Sequence, residues 1–139
     1  MRASLFYKIA AVLLLLFTAG HTIGFRQTQP DWGVDALVTM MKSIHFDAQG
    51  FSRSYWDFYT GFGLFVSLLL VFAAVVAWQL GTLSDETLRA MPLLRWSLPV
   101  CFGLETALNL KYFFIAPVVF SMVITVCLAM AAWLPARAK

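Results

Sequence analysis

Hydrophobic residues make up 61% of this 139-residue chain and charged residues only 12%, with a mean hydropathy of +0.80. That is about half the charge of a soluble domain, which argues against a water-soluble globular fold and for an integral membrane protein. The net charge of +3 contains no run of basic residues and no aromatic–basic stripe, so no nucleic-acid partner is expected.

A spanning helix needs roughly 20 residues, so the length predicts four spans, short connections and no separate soluble domain. Residues 1–139 therefore read as one domain, an all-α, integral membrane four-helix bundle. The first span is expected over 5–25, opening after Arg2 through an aliphatic run and closing on Thr18, Gly20, His21, Thr22 and Gly24. A basic start, an apolar run and small residues also fit a secretory signal peptide. Thr18-Ala19-Gly20 is an imperfect cleavage site, so a retained span is expected. Gly20 and Gly24 share one helix face at the spacing that admits a neighbouring backbone. Thr18 and His21 share an adjacent polar face.

Between spans one and two, Val34, Leu37, Val38, Met41 and Ile44 recur at helical spacing with polar residues between them. This predicts an additional amphipathic helix over 32–45, with Asp31 as its N-cap. It is too short to span and belongs at the interface, either bridging two spans or lying as a lid over the bundle mouth.

Ser54-Tyr55-Trp56-Asp57 predicts a capping box opening the second span, 55–80. Its aromatic residues suit a membrane surface. Asp57, Thr60, Leu64, Ser67, Val71 and Ala74 form the expected inward face. Residues 82–95 read as a polar hinge in which Ser84-Asp85-Glu86 starts a short helix limited by Pro92. The third span is expected over 93–109 and the fourth over 113–134, with a tight turn at 110–112. Cys101 and Cys127 fall at different depths, so no disulfide is expected. The absence of Cys-x-x-Cys removes the disulfide-relay quinone reductases.

Six of the ten basic residues, Arg2, Lys8, Arg89, Arg95, Arg137 and Lys139, share one side in a four-span topology. The positive-inside rule places that side, with both termini, in the cytoplasm.

A charge within a span is a functional-site candidate, and Glu105 lies in Gly103-Leu104-Glu105-Thr106-Ala107-Leu108-Asn109-Leu110-Lys111. Counted at about 1.5 Å per residue, His21, Asp57 and Glu105 fall at a similar depth below the outer surface. Thr18, His21, Asp57, Thr60, Glu105, Asn109 and Lys111 are thus the expected lining of a polar pocket. His21, Asp57 and Glu105 are its catalytic candidates. Such a group could run acid/base chemistry on a lipophilic small molecule or lipid. A divalent metal on His21, Asp57 and Glu105 is chemically conceivable, but no local ligand motif supports it, and neither metal nor cofactor is expected. The alternative is a non-catalytic membrane subunit or scaffold whose buried polar residues only hold the bundle together. The expected partners are the lipid bilayer, a lipophilic small molecule and a second copy of the chain.

His-Thr-x-Gly closing span one and Tyr-Trp-Asp-Phe-Tyr-x-Gly-Phe-Gly opening span two resemble small, uncharacterised four-helix bacterial inner-membrane proteins. The resemblance implies an inner-membrane location. More distantly, a four-helix bundle with acidic residues and a histidine facing a lipophilic cavity is similar to the EXPERA group of sterol isomerases and sterol-binding relatives. That similarity implies His21, Asp57 and Glu105 as cavity residues.

Overall fold

The computed structural model describes residues 2–137, of which the side chains of 3–135 are considered below; Lys139, one of the six basic residues used to orient the chain, lies outside the described residues. The chain is all-α, 81% helical. In order it forms α1 (Arg2–Gly24), a single 3-10 turn (Pro30–Trp32), α2 (Asp35–Ser43), β1 (His45–Ala48), β2 (Phe51–Ser54), α3 (Tyr55–Leu80), α4 (Asp85–Ala90), α5 (Pro92–Tyr112) and α6 (Ile115–Arg137).

Three helices are long and apolar enough to cross a membrane by length and composition, over Ala3–Gly24, Tyr55–Leu80 and Ile115–Pro135. This is an integral membrane protein in contact with the bilayer. Phe62, Phe65 and Phe72 on α3 are each about two-thirds exposed, a surface suited to lipid. The expected third span is also a helix. Its 21 residues reach about 31 Å, but Arg95, Glu105 and Lys111 interrupt its hydrocarbon.

The chain divides into two compact units, Met1–Phe17 with Leu70–Lys139, and Thr18–Leu69. In the first, Ala3, Tyr7, Ala10, Ala11 and Leu14 make a buried stripe on α1, and Leu70, Ala73, Ala74, Ala77 and Leu80 make one on α3. Leu88, Phe102, Ile124, Leu128 and Ala131 complete the same core. Small residues dominate these stripes because lipid tails are as apolar as any side chain, so close van der Waals packing drives association. Ser4 donates its hydroxyl to the Gly81 carbonyl, joining the start of α1 to the end of α3. Phe17 stacks on Phe120 with ring centroids 5.5 Å apart.

α4 begins where the sequence predicts: Ser84 Oγ accepts the Thr87 amide at 3.1 Å. Pro92 then starts α5 at the first helical position, where its missing N–H costs nothing. Pro99 is accommodated inside α5. The α5–α6 connection falls at 113–114, later than the expected 110–112. The sequence predicts Arg95 at the end of the polar hinge; it lies instead within the first turn of α5 with only 7% of its surface exposed.

The second unit contains a feature absent from the sequence expectation. β1 and β2 pair antiparallel, from His45 opposite Ser54 to Ala48 opposite Phe51. Gln49 and Gly50 both have positive φ, 56° and 88°, as the favoured two-residue hairpin turns require. The Gly50 amide donates to Asp47 Oδ1 at 2.7 Å. Phe46 stacks on Phe58 at 5.9 Å.

The amphipathic helix is shorter than the expected 32–45. Gly33, in the left-handed region with φ 62°, separates the 3-10 turn from α2, so Asp31 does not cap α2. Val34 occupies the cap position and makes no side-chain cap bond. Val34, Val38 and Met41 are half-buried, while Leu37 and Ile44 are more than half exposed.

Candidate functional site

The candidate residues divide between the two units. In Thr18–Leu69, the end of α1 and the start of α3 are joined by polar contacts. His21 Nε2 lies 3.0 Å from the Gly63 carbonyl oxygen. Thr22 Oγ1 lies 2.8 Å from Ser67 Oγ and 2.7 Å from the Thr18 carbonyl oxygen. Ser67 reaches the Gly63 carbonyl at 3.2 Å. Thr18 itself is 9% exposed. These bonds recur because His21, Thr22 and Ser67 fall on facing helix surfaces, where a polar group in hydrocarbon must find a partner on its own or the adjoining helix.

Phe25 closes this row. Its ring lies against His21, with centroids 5.2 Å apart and planes 16° from parallel. It sits over the bare Gly63 backbone, and the Tyr59 hydroxyl donates to the Phe25 carbonyl. The expected close approach at Gly20 and Gly24 does not occur: a Cβ at either would meet nothing within 4 Å. Gly63 is the tight position in this unit.

Asp57 is exposed and forms a reciprocal capping box. Its Oδ2 accepts the Ser54 amide at 2.8 Å and the Ser54 hydroxyl at 3.0 Å, while the Asp57 amide donates to Ser54 Oγ at 3.2 Å. Arg53 and His45 are its basic neighbours. No hydrogen bond joins it to His21 among the described residues. Thr60 is half-buried, and its hydroxyl has no protein partner.

In the other unit, Asn109 is 6% exposed. It donates through Nδ2 to Ser121 Oγ at 3.1 Å and to the Pro117 carbonyl at 3.4 Å, tying α5 to α6. One turn earlier Glu105 is half-buried and interacts with the Asn109 amide. Thr106 and Thr125 continue the polar row, their hydroxyls 3.3 Å apart. Lys111 is exposed, with Nζ 5.0 Å from the Tyr112 ring centroid. The structure thus joins His21 to Gly63, Thr18 to Thr22, and Glu105 to Asn109. Gly63, Phe25 and Tyr59 were missed because nothing in sequence spacing marks a ring seated on a distant glycine.

Two surface depressions are prominent, and the candidate residues line neither. One is an apolar groove of about 400 Å³ bounded by Trp96, Val126, Ala129, Met130 and Trp133. The other lies at the hairpin against His45, Phe46, Asp47, Gly50 and Ser52. Among the described residues no group of three or more His, Cys, Asp or Glu side chains could hold a metal ion. Cys101 and Cys127 are both free thiols.

The chain matches no protein-family model, no curated protein and no solved structure.

Proposed function

We propose that this protein is a non-catalytic membrane subunit or scaffold with four spans, in which α5 crosses as well as α1, α3 and α6 and the polar residues hold the helices together. The reading is carried by the hydrogen bonding of the two titratable candidates near the α1–α3 contact. His21 is occupied by the Gly63 carbonyl and Asp57 by Ser54. His21 thereby ties the end of α1 to α3, as polar side chains between membrane helices do, and Asp57 closes the start of α3, as a capping-box carboxylate does.

α5 is long enough to cross, and two of its polar residues have local relief. Asn109 is bonded to α6, and Lys111 lies in the last turn, from which a long side chain can reach the interface. Both termini then fall on one side, which the basic residues favour as the cytoplasmic one. Leu37, Ile44 and Phe51, in and beside α2 and the hairpin, are exposed apolar side chains of the kind that suit a membrane interface.

Native mass spectrometry of the purified full chain, paired with thermal unfolding in detergent, tests the reading. Glu105→Gln is expected to change neither the small molecules retained nor, by more than about 1 kcal/mol, the stability. A lipophile bound at one per chain in the parent and lost in Glu105→Gln would overturn the scaffold in favour of a pocket.

A further inference from the structure

α5 carries two different faces. One is turned to α6: Phe102 is buried, the Thr106 and Thr125 hydroxyls are 3.3 Å apart, and the Asn109 amide donates to Ser121 Oγ. Beside it runs a second line, Leu94, Leu98, Cys101, Glu105, Leu108 and Tyr112, spaced alternately four and three residues apart along most of the helix. That spacing is the seam of a left-handed helix pair. Leu94, Cys101, Leu108 and Tyr112 are exposed, while Leu98 and Glu105 are half-buried.

Glu105 distinguishes this seam from a surface made for lipid alone. It lies seven residues before the end of α5, about 10 Å along the axis, and with α5 across the bilayer it stands in hydrocarbon. Its partner within the chain is the Asn109 amide, which is also committed to Ser121 and to the Pro117 carbonyl. No basic side chain meets it among the described residues. An ionised carboxylate in hydrocarbon without a cation is strongly unfavourable. The acid form instead carries one O–H donor and a free acceptor, and another carboxylic acid offers the same two groups in return.

Copies of one chain that share an orientation in the bilayer are related by a twofold axis along the membrane normal, so residues beside the axis meet their own counterparts at equal depth. We propose that the seam from Leu94 to Tyr112 is the interface of a parallel homodimer, in which the two Glu105 side chains pair as acids, each donating to the other, and the two Cys101 side chains face one another a turn away. One polar residue in an otherwise apolar seam fixes the register of the pair. Cys101 is small enough to let the backbones approach, as small residues do between membrane helices. The inference deepens the scaffold reading by naming its partner, and it rests on α5 being a crossing.

Cys101 makes the interface testable without an added label. The full chain carrying Cys127→Ser is reconstituted in phosphatidylcholine vesicles at a high lipid-to-protein ratio and oxidised with copper phenanthroline. A disulfide-linked dimer is expected, and none from Cys101→Ser, which keeps Cys127. With both native cysteines replaced by serine, Leu108→Cys should cross-link and Leu104→Cys, which is exposed but off the seam, should not. Equal yields from these two would reduce the contact to random collision and overturn the interface.

Cross-link yield on dilution with lipid then reads the role of the carboxyl. Glu105→Gln keeps a donor and an acceptor and should preserve the dimer, whereas Glu105→Leu should weaken association about tenfold, the scale of an interhelical hydrogen bond in model membrane peptides. Equal loss in both variants would mean that Glu105 serves as an anion for a cation on a different chain, and an unweakened dimer in Glu105→Leu would leave the carboxyl without a role; either overturns the acid pair. If Phe114→Cys reacts with an impermeant reagent but Cys101 does not cross-link, the dimer falls and the four-span reading stands. Protection of Phe114→Cys together with Ser84→Cys would remove the crossing and the seam with it.

Discussion

The ring of Phe25 occupies the space that any side chain on Gly63 would need. A Cβ built on Gly63 would lie 2.3 Å from Phe25 Cε2 and 2.4 Å from Cδ2, well inside van der Waals contact. The same glycine accepts His21 through its carbonyl. One residue therefore supports both the aromatic and the polar halves of the α1–α3 contact in its unit.

Gly63→Ala is expected to push Phe25 aside and lengthen the His21 bond, destabilising the protein by about 1–3 kcal/mol as overpacking does. Gly61→Ala is the control, because a Cβ there meets nothing within 4 Å. It should be neutral or stabilising by up to about 1 kcal/mol through helix propensity. Thermal unfolding in detergent reads both, and equal midpoints for the two variants would refute the steric account.

Ser54→Ala should remove the capping hydroxyl of α3 at a cost of about 0.5–2 kcal/mol, and Asp57→Ala should destabilise the same helix start by removing the other half of the capping box. The double variant should cost much less than the sum, because each substitution already breaks the reciprocal pair. Hydrogen exchange at the first amides of α3 should accelerate in all three. Unaltered exchange would mean that Asp57 serves something other than the helix start.

Asn109 and Ser121 should couple by about 0.6 kcal/mol, with an upper bound near 1.7 kcal/mol, the range measured for side-chain hydrogen bonds between membrane helices. The cycle compares Asn109→Ala, Ser121→Ala and the double variant by reversible unfolding in mixed micelles. Ser121 keeps its contact with the Val118 carbonyl at 3.2 Å when Asn109 is lost, which limits the effect of the first substitution. Zero coupling would detach this bond from the stability of the α5–α6 pair.

Single-cysteine labelling counts the crossings. With Cys101 and Cys127 replaced by serine, cysteines placed at Gln27 and at Phe114 should react with an impermeant reagent added outside, and one at Ser84 should not. Protection at both Phe114 and Ser84 would mean that α5 does not cross. Reversal at all three would invert the orientation while leaving four spans.

Local chemistry was the most legible part of the sequence. Ser54 and Asp57 were readable because a capping box depends on residues three apart, and α3 runs over 55–80 as expected. Ser84 and Pro92 bracket α4 for the same reason. The hairpin leaves little trace in the sequence, although Gln49-Gly50 lies between two short runs, because four-residue strands give too little periodicity beside a stronger helical pattern. The extent of α2 was overestimated because hydrophobic spacing continues across Gly33, whose backbone leaves the helical region. Arg95 misled for a different reason: a basic residue beside a hinge normally marks a loop, and only three-dimensional packing shows it buried. The predicted polar lining is legible as residue types, but the partners of His21 and Asn109 are not, since Gly63 and Pro117 act through backbone carbonyls that sequence does not distinguish.

Ser54 is at once the last residue of β2, paired with His45, and the residue that caps α3. No flexible joint separates strand from helix, so the hairpin is geared to the first turn of a 26-residue rod. Strand register fixes the azimuth of Tyr55, Trp56 and Phe58, and a slip of one residue in β2 would reverse the strand's faces while turning the helix by about 100°. The hairpin that turns at Gln49-Gly50 and the first turn of α3 therefore share one orientation about the helix axis.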